Sequence, residues 1–186
     1  MEIGFCMCGS FCTYAQVFPV MEALAKEHHV TPIFSEAAAS VDSRFGTAAA
    51  HIHRAMEICG AVPLRTIPQV EPIGPKKLFD ALIIAPCTGN TLAKLAHSIA
   101  DGPVTMAAKS HLRNGRPVLI AVSTNDALAG AAENIGKLMG RRHYYFVPFG
   151  QDDPQNKPTS MVADFTKIPL ALQAALEGRQ IQPILL

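Results

Sequence analysis

The sequence has no apolar run of the roughly 18 residues that a membrane-spanning helix needs. Its first residues, MEIGFCM, carry neither a basic leader nor a cleavage site, so a cytosolic protein is expected. Net charge is nearly lacking as well. Lys and Arg number 16 against 15 Asp and Glu, and the resulting +1 excludes the broad field that would hold a chain on nucleic acid or on an anionic membrane. The expected partners are small molecules or other proteins.

No G-x-G-x-x-G run occurs, which argues against a nicotinamide dinucleotide site on this chain. No Walker loop occurs either, because the stretch from Gly4 to Ser10 lacks the lysine that precedes the hydroxyl residue. The cysteines Cys6, Cys8, Cys12, Cys59 and Cys87 are odd in number and lie in a chain too large to need disulfide staples, so free thiols are expected. Cys6, Cys8 and Cys12 have no fourth ligand nearby, and no metal site is expected. His51 and His53 stand two apart on an expected helix and point about 200° apart, which rules out joint ligation. His28, His29, His97, His111 and His143 read as surface or cap residues. Internal repeats and low-complexity runs are also missing.

What is present is an alternation. Apolar runs suited to buried parallel strands lie at Ile3–Met7, Val30–Phe34, Ala81–Ala85, Val118–Val122 and Tyr144–Val147, with a weaker one at Val62–Ile67. Helical spacing fills Tyr14–Lys26, Thr47–Cys59, Thr91–Ile99, Val104–Arg113, Ala127–Met139 and Thr159–Leu176. This pattern implies one α/β domain over residues 1–186, a doubly wound parallel sheet between two helix layers. Ligands of such folds bind at the carboxyl ends of the strands. The Pro-rich stretches Pro68–Pro75 and Pro148–Pro158 read as ordered loops, and the second is placed to act as a lid. With 49% hydrophobic and only 17% charged residues, a homo-oligomer is expected.

Three polar strand ends follow. In CMCGSFCTY, Gly9 permits a tight turn and Ser10 is a candidate cap for the next helix, which makes an anion site. In APCTGNTLAKLA, Pro86 is expected to stop the strand, while Thr88, Gly89, Asn90 and Thr91 open a second helix. In AVSTNDALAG, Ser123, Thr124 and Asn125 reach the same edge, and Asp126 is a candidate helix starter. Ser35 ends another strand, and Arg44 lies in the loop that follows it. Arg44, Lys109, Arg113 and Arg116 are candidate carboxylate binders, with Arg44 nearest the ligand edge.

These motifs resemble the flavin-containing cysteine decarboxylase superfamily, which binds FMN at the corresponding loops. IGFCMCGSFCTY, FDALIIAPCTGNTLAKLA, RPVLIAVSTNDAL, FVPFGQDDP and QIQPILL, in this order, resemble more closely the B subunits of dipicolinate synthases. The resemblance implies a flavodoxin-like or Rossmann-like fold and an oxidoreductase subunit of the mother cell of a sporulating bacterium. It also implies a partner, the nucleotide-binding A subunit of dipicolinate synthase, which would carry NAD(P). Together the two would convert a dihydro- or hydroxytetrahydro-dipicolinate, a dicarboxylate, to dipicolinate. The implied FMN sites are Gly9, Ser10, Ser35, Thr88, Gly89, Asn90, Thr91 and Ser123, with Asn125 at the reaction centre and Arg44 on the substrate. A non-catalytic scaffold with a relic flavin pocket is the alternative. Stand-alone decarboxylation is disfavoured, since Ser123-Thr124-Asn125 replaces the superfamily's P-x-M-N turn and its active-site histidine has no matching context.

Overall fold

Each long apolar run becomes a strand because its side chains are buried on both sheet faces, which only a covered parallel sheet allows. The computed structural model describes all of residues 1–186. In chain order the elements are β1 (Glu2–Met7), α1 (Tyr14–Glu27), β2 (His29–Phe34), α2 (Glu36–Ser40), α3 (Ala48–Cys59) and α4 (Ile67–Val70). Then come β3 (Ala81–Cys87), α5 (Gly89–Ala96), α6 (Pro103–Leu112), β4 (Val118–Thr124) and α7 (Ala132–Met139). The chain closes with β5 (Tyr144–Phe146), β6 (Phe149–Gly150), β7 (Met161–Ala163) and α8 (Ile168–Leu176). No helix is long and apolar enough to cross a membrane.

The strands β2, β1, β3, β4 and β5 pair in parallel in that order. Helices α1, α3 and α8 cover one face, and α5, α6 and α7 the other, giving three layers. The winding direction reverses between β1 and β3, so the crevice between their carboxyl ends is where the fold opens to a ligand.

The parallel sheet carries an antiparallel extension that the sequence did not announce. β5 pairs only with the first half of β4, Val118 to Ile120. The outer edge of β4 at Ser123 and Thr124 is instead taken by β7, which also pairs antiparallel with β6. The expected helix Thr159–Leu176 is therefore split into β7, a short 3₁₀ turn and α8. Pro148–Pro158 is likewise part of a β6–β7 connection rather than a plain loop. The residues QIQPILL run beside β6, where Phe149 N–H donates to Ile184 and Leu186 N–H donates to Phe149.

Local chemistry corrects further expectations. Val62–Ile67 forms no strand, and only Leu64 bridges to Ile33 at the edge of β2. Pro86 does not end β3, which runs on to Cys87 across a register shift against β4. Ala127–Met139 shortens to α7, because the amides of Ala129 and Ala131 turn back onto the Asp126 carbonyl. Pro19 sits inside α1 without ending it.

His111 is a correction with a measurable consequence. Expected at the surface, it is fully buried on α6. Its Nε2 donates to the Pro117 carbonyl at 3.1 Å, and its Nδ1 has no partner. Burial disfavours the imidazolium and lowers the pKa to about 4, although the Pro117 carbonyl pulls the other way. In the unfolded chain the group titrates near 6.5. With the folded pKa the lower of the two, the unfolded state binds more protons between them. The contribution is thus complete above pH ~6.5 and is lost as pH falls toward 4. Urea unfolding should show about 2–3 kcal/mol of stability disappearing through this residue between pH 7 and 4.5. His111→Phe should flatten that part of the slope, and an unchanged slope in the variant would refute the assignment.

Candidate functional site

The carboxyl ends of β1, β3 and β4 deliver three loops to one edge. After β1, Gly9 and Ser10 lead into a 3₁₀ turn, Phe11–Thr13, which passes into α1. Ser10 does not cap this turn. Its N–H donates to the Cys8 carbonyl, and its hydroxyl bonds the hydroxyl of Ser123 at 2.7 Å. The end of β1 is thus tied to the end of β4 across the intervening β3. Tyr14 fixes the same loop from below by donating to the Cys8 carbonyl at 2.9 Å.

A cleft of about 770 Å³ opens above this tie, a volume within the usual range for small-molecule and cofactor sites. Its floor is Gly9, Ser10, Thr88 and Ser123, and one wall is Thr124 and Asn125. The opposite wall is a tight turn in which Ser43 and Gly46 exchange backbone hydrogen bonds of 3.0 and 3.1 Å. That turn presents Arg44, whose guanidinium lies 4.8 Å from the ring centre of Phe45. Gly46 is required there. Its φ is +131°, and an added Cβ would meet the His51 ring at 2.8 Å.

Lys157 and Asp152, from the β6–β7 connection, line the rim and pair at 3.3 Å. Partial burial opposes ionisation of Asp152, but the Lys157 ammonium beside it favours the carboxylate, and its carboxyl lies below the ordinary value. The same connection grips Asn125. Thr159 donates to its backbone carbonyl at 2.7 Å, and the buried Ser160 hydroxyl donates to Oδ1 at 3.3 Å. The Nδ2 amide of Asn125 has no protein acceptor.

A second, smaller cleft of about 320 Å³ shares Gly9 and Thr88 with the first. Ser35, Asn90 and Thr91 line it, as do Gly102 and Val104 at the start of α6. The first-turn amides of α5 donate to no protein acceptor, since the Thr88 hydroxyl is engaged with Thr91 instead of capping. The start of α5 therefore offers free N–H groups to one small space, and α6, whose Pro103 has none and whose Gly102 N–H is bonded to Thr105, adds only those of Val104 and Thr105, an arrangement that suits a single phosphate. Lys94 and Asp101 form an ion pair of 2.9 Å at its side.

Four likenesses to known proteins bear on this geometry. The flavoprotein family profile matches residues 1–156. The dipicolinate synthase B subunit of Bacillus subtilis (strain 168) is 44% identical over 185 residues, covering 99% of this chain and 92% of that protein. This chain belongs to the flavoprotein family. The crystal structure of the dipicolinate synthase B subunit from Bacillus halodurans C superposes with a TM-score of 0.90 at 43% identity, covering 99% and 95% of the two chains. The FMN-dependent cysteine decarboxylase SpaF shares the fold, with a TM-score of 0.68 at 22% identity over 94% of this chain and 97% of its own.

The strand-end residues singled out from sequence and Arg44 reach the carboxyl edge, but they divide, and Lys109, Arg113 and Arg116 line neither cleft there. Ser10, Arg44, Ser123 and Asn125 line the large cleft, while Ser35, Asn90 and Thr91 line the small one. Gly89 lines neither, and its role is steric. A Cβ there would lie 2.8 Å from Asp126 and 2.9 Å from Thr124, so glycine is what lets the β3 and β4 loops touch. Asp126 accepts a hydrogen bond from Thr124 rather than starting a helix. Lys157 was missed, because nothing in an irregular Pro-flanked segment says which way a lysine points. Arg116 lies away from the site, bound to the carbonyls of Lys77 and Phe79 and paired with Asp80. Cys6, Cys8 and Cys87 are buried, and burial raises the Cys8 thiol to about 11, so it stays protonated as a packing group.

Proposed function

We propose that this flavoprotein is the FMN-binding subunit of a two-subunit dipicolinate synthase, acting in the cytoplasm of a sporulating mother cell. The observation that carries the reading is the pair of joined clefts, one fitted to a phosphate and one roomy and cationic. The near full-length similarity to proteins named as the B subunit of dipicolinate synthase supports it. In this reading the FMN phosphate is held by the free amides of α5 and α6 with Ser35, Asn90 and Thr91 around it, and Gly9 and Thr88 form the passage between the clefts. Gly9 suits that passage, because its Cβ position faces nothing closer than 3.6 Å and its backbone is open to approach. Ser10 and Ser123 underlie the ring system.

The substrate is a dihydro- or hydroxytetrahydro-dipicolinate, with Arg44 and Lys157 receiving its two carboxylates and the Asn125 amide donating to its reacting edge. The net change is loss of water from the hydroxylated form and removal of two hydrogens to give the aromatic ring. When bound, flavin supplies a two-electron acceptor. The NAD(P) of the A subunit is the second carrier, and the chain alone makes little product. Further copies of this chain are expected to assemble with it, since Leu170, Leu176 and Val62 are exposed.

The purified chain should bind FMN with quenching of flavin fluorescence, and Asn90→Ala should weaken that binding by about tenfold, as loss of a phosphate ligand predicts. A colourless chain that binds no FMN yet restores synthesis by the A subunit would overturn the flavin part and establish a scaffold.

A further inference from the structure

At the opposite, amino edge of the sheet lies a third cleft of about 420 Å³, between the ends of α5 and α6 and the turn that leads into β5. Four cations line it: Lys109 and Arg113 from the last turns of α6, and Arg141 and Arg142 from the turn. None of the four has a carboxylate partner, although five Lys or Arg ion pairs occur elsewhere in the chain. Arg141 is anchored on the carbonyls of Leu95 and Ala96, at 3.1 and 2.6 Å, which fixes one guanidinium in place. The nearby acid Asp101 is already paired with Lys94.

Like charges gathered from separate elements raise the local positive potential, which favours an anion in the cleft. The floor is apolar. Leu95, Ile99 and Leu112 line it together with the buried ring of Tyr144. His143, which also lines the cleft, adopts φ of +69°, an uncommon conformation for a residue with a side chain and one that concentrates at ligand sites.

We infer that this cleft is a second ligand site, for a small organic anion that combines an apolar ring with a carboxylate or phosphate group. The ring lies on the aliphatic floor and Tyr144, and the anionic group is received by Lys109, Arg113 and Arg142. The site shares none of its cations with the clefts at the carboxyl edge, touching the smaller of them only at Thr105, and does not depend on the proposed activity.

Methyl NMR on the intact 19.9 kDa chain tests this, with pyridine-2,6-dicarboxylate, AMP and inorganic phosphate as probes. One or both ring-bearing anions should shift the methyl signals of Leu95, Ile99 and Leu112 saturably, and the tighter of the two identifies the acid group preferred. Inorganic phosphate should bind at least about tenfold more weakly, since it leaves the floor uncovered. The doubly substituted K109A/R113A chain should lose at least about tenfold in affinity while FMN binding at the far edge is unchanged. Both side chains are solvent-exposed, so the fold tolerates the change. No shift at these methyls up to about 10 mM probe, equal affinity for inorganic phosphate, or equal affinity in the double variant would overturn the inference.

Discussion

Asn125→Ala should lower dipicolinate formation by the chain and its A-subunit partner at least about 100-fold, with flavin binding and assembly intact, as loss of one preorganised donor predicts. Asn125 is exposed on the cleft wall, so its side chain contributes little to the core. Its carbonyls are held by Thr159 and Ser160, which leaves the Nδ2 group oriented and free to donate. Ser160 is then a positioning residue. Ser160→Ala should reduce kcat by a smaller factor with KM nearly unchanged, and Ser160→Thr should restore most of it. An Asn125→Ala mixture of normal rate would remove the amide from the reaction.

The second large effect concerns Tyr14. Its ring is 2% exposed and packs edge-on against Phe11, Phe18 and His51 at centroid distances of 5.5, 5.8 and 4.8 Å. Tyr14→Ala should cost about 3–5 kcal/mol, the usual loss on emptying an aromatic core position. Tyr14→Phe keeps the packing and removes one of the two donors to the Cys8 carbonyl, leaving it the Ser10 N–H, for about 0.5–1.5 kcal/mol. The phenylalanine variant should also weaken FMN binding, because the loop bearing Gly9 loses its lower support. Equilibrium urea unfolding of the two variants, with an FMN titration of the second, separates packing from loop placement. Equal stabilities for the two variants would contradict this division.

The parallel half of the fold was legible because long buried strands write continuous apolar runs, as in Ala81–Ala85 and Val118–Val122. The antiparallel extension was not. β6 has two residues and β7 three, too few for any period to show, and the apolar stretch after Thr159 reads equally well as helix. The same reasoning divides the site. Gly9, Thr88 and Asn125 stand at strand ends, where topology alone places them. Lys157 and Asp152 depend on how the β6–β7 connection folds back, and Ser160 reaches Asn125 across 35 positions of sequence. His111 was misplaced because a histidine on a helix carries no sign of whether a carbonyl waits for it inside. The cations at the amino edge were visible singly, as Lys109 and Arg113, but Arg141 and Arg142 join them only through the turn before β5.

The tail beside β6 bears on how this protein is handled at the bench. Leu186 N–H is bonded to Phe149, and a Cβ at Gly150 would sit 3.0 Å from the Leu186 carbonyl, so Leu186 is stitched into the hairpin that leads to Lys157 and Ser160. Removing residues 180–186 would undo that stitch and present the bare edge of β6 to neighbouring molecules. Clumping in such a preparation would then report on the exposed strand edge rather than on the cleft residues.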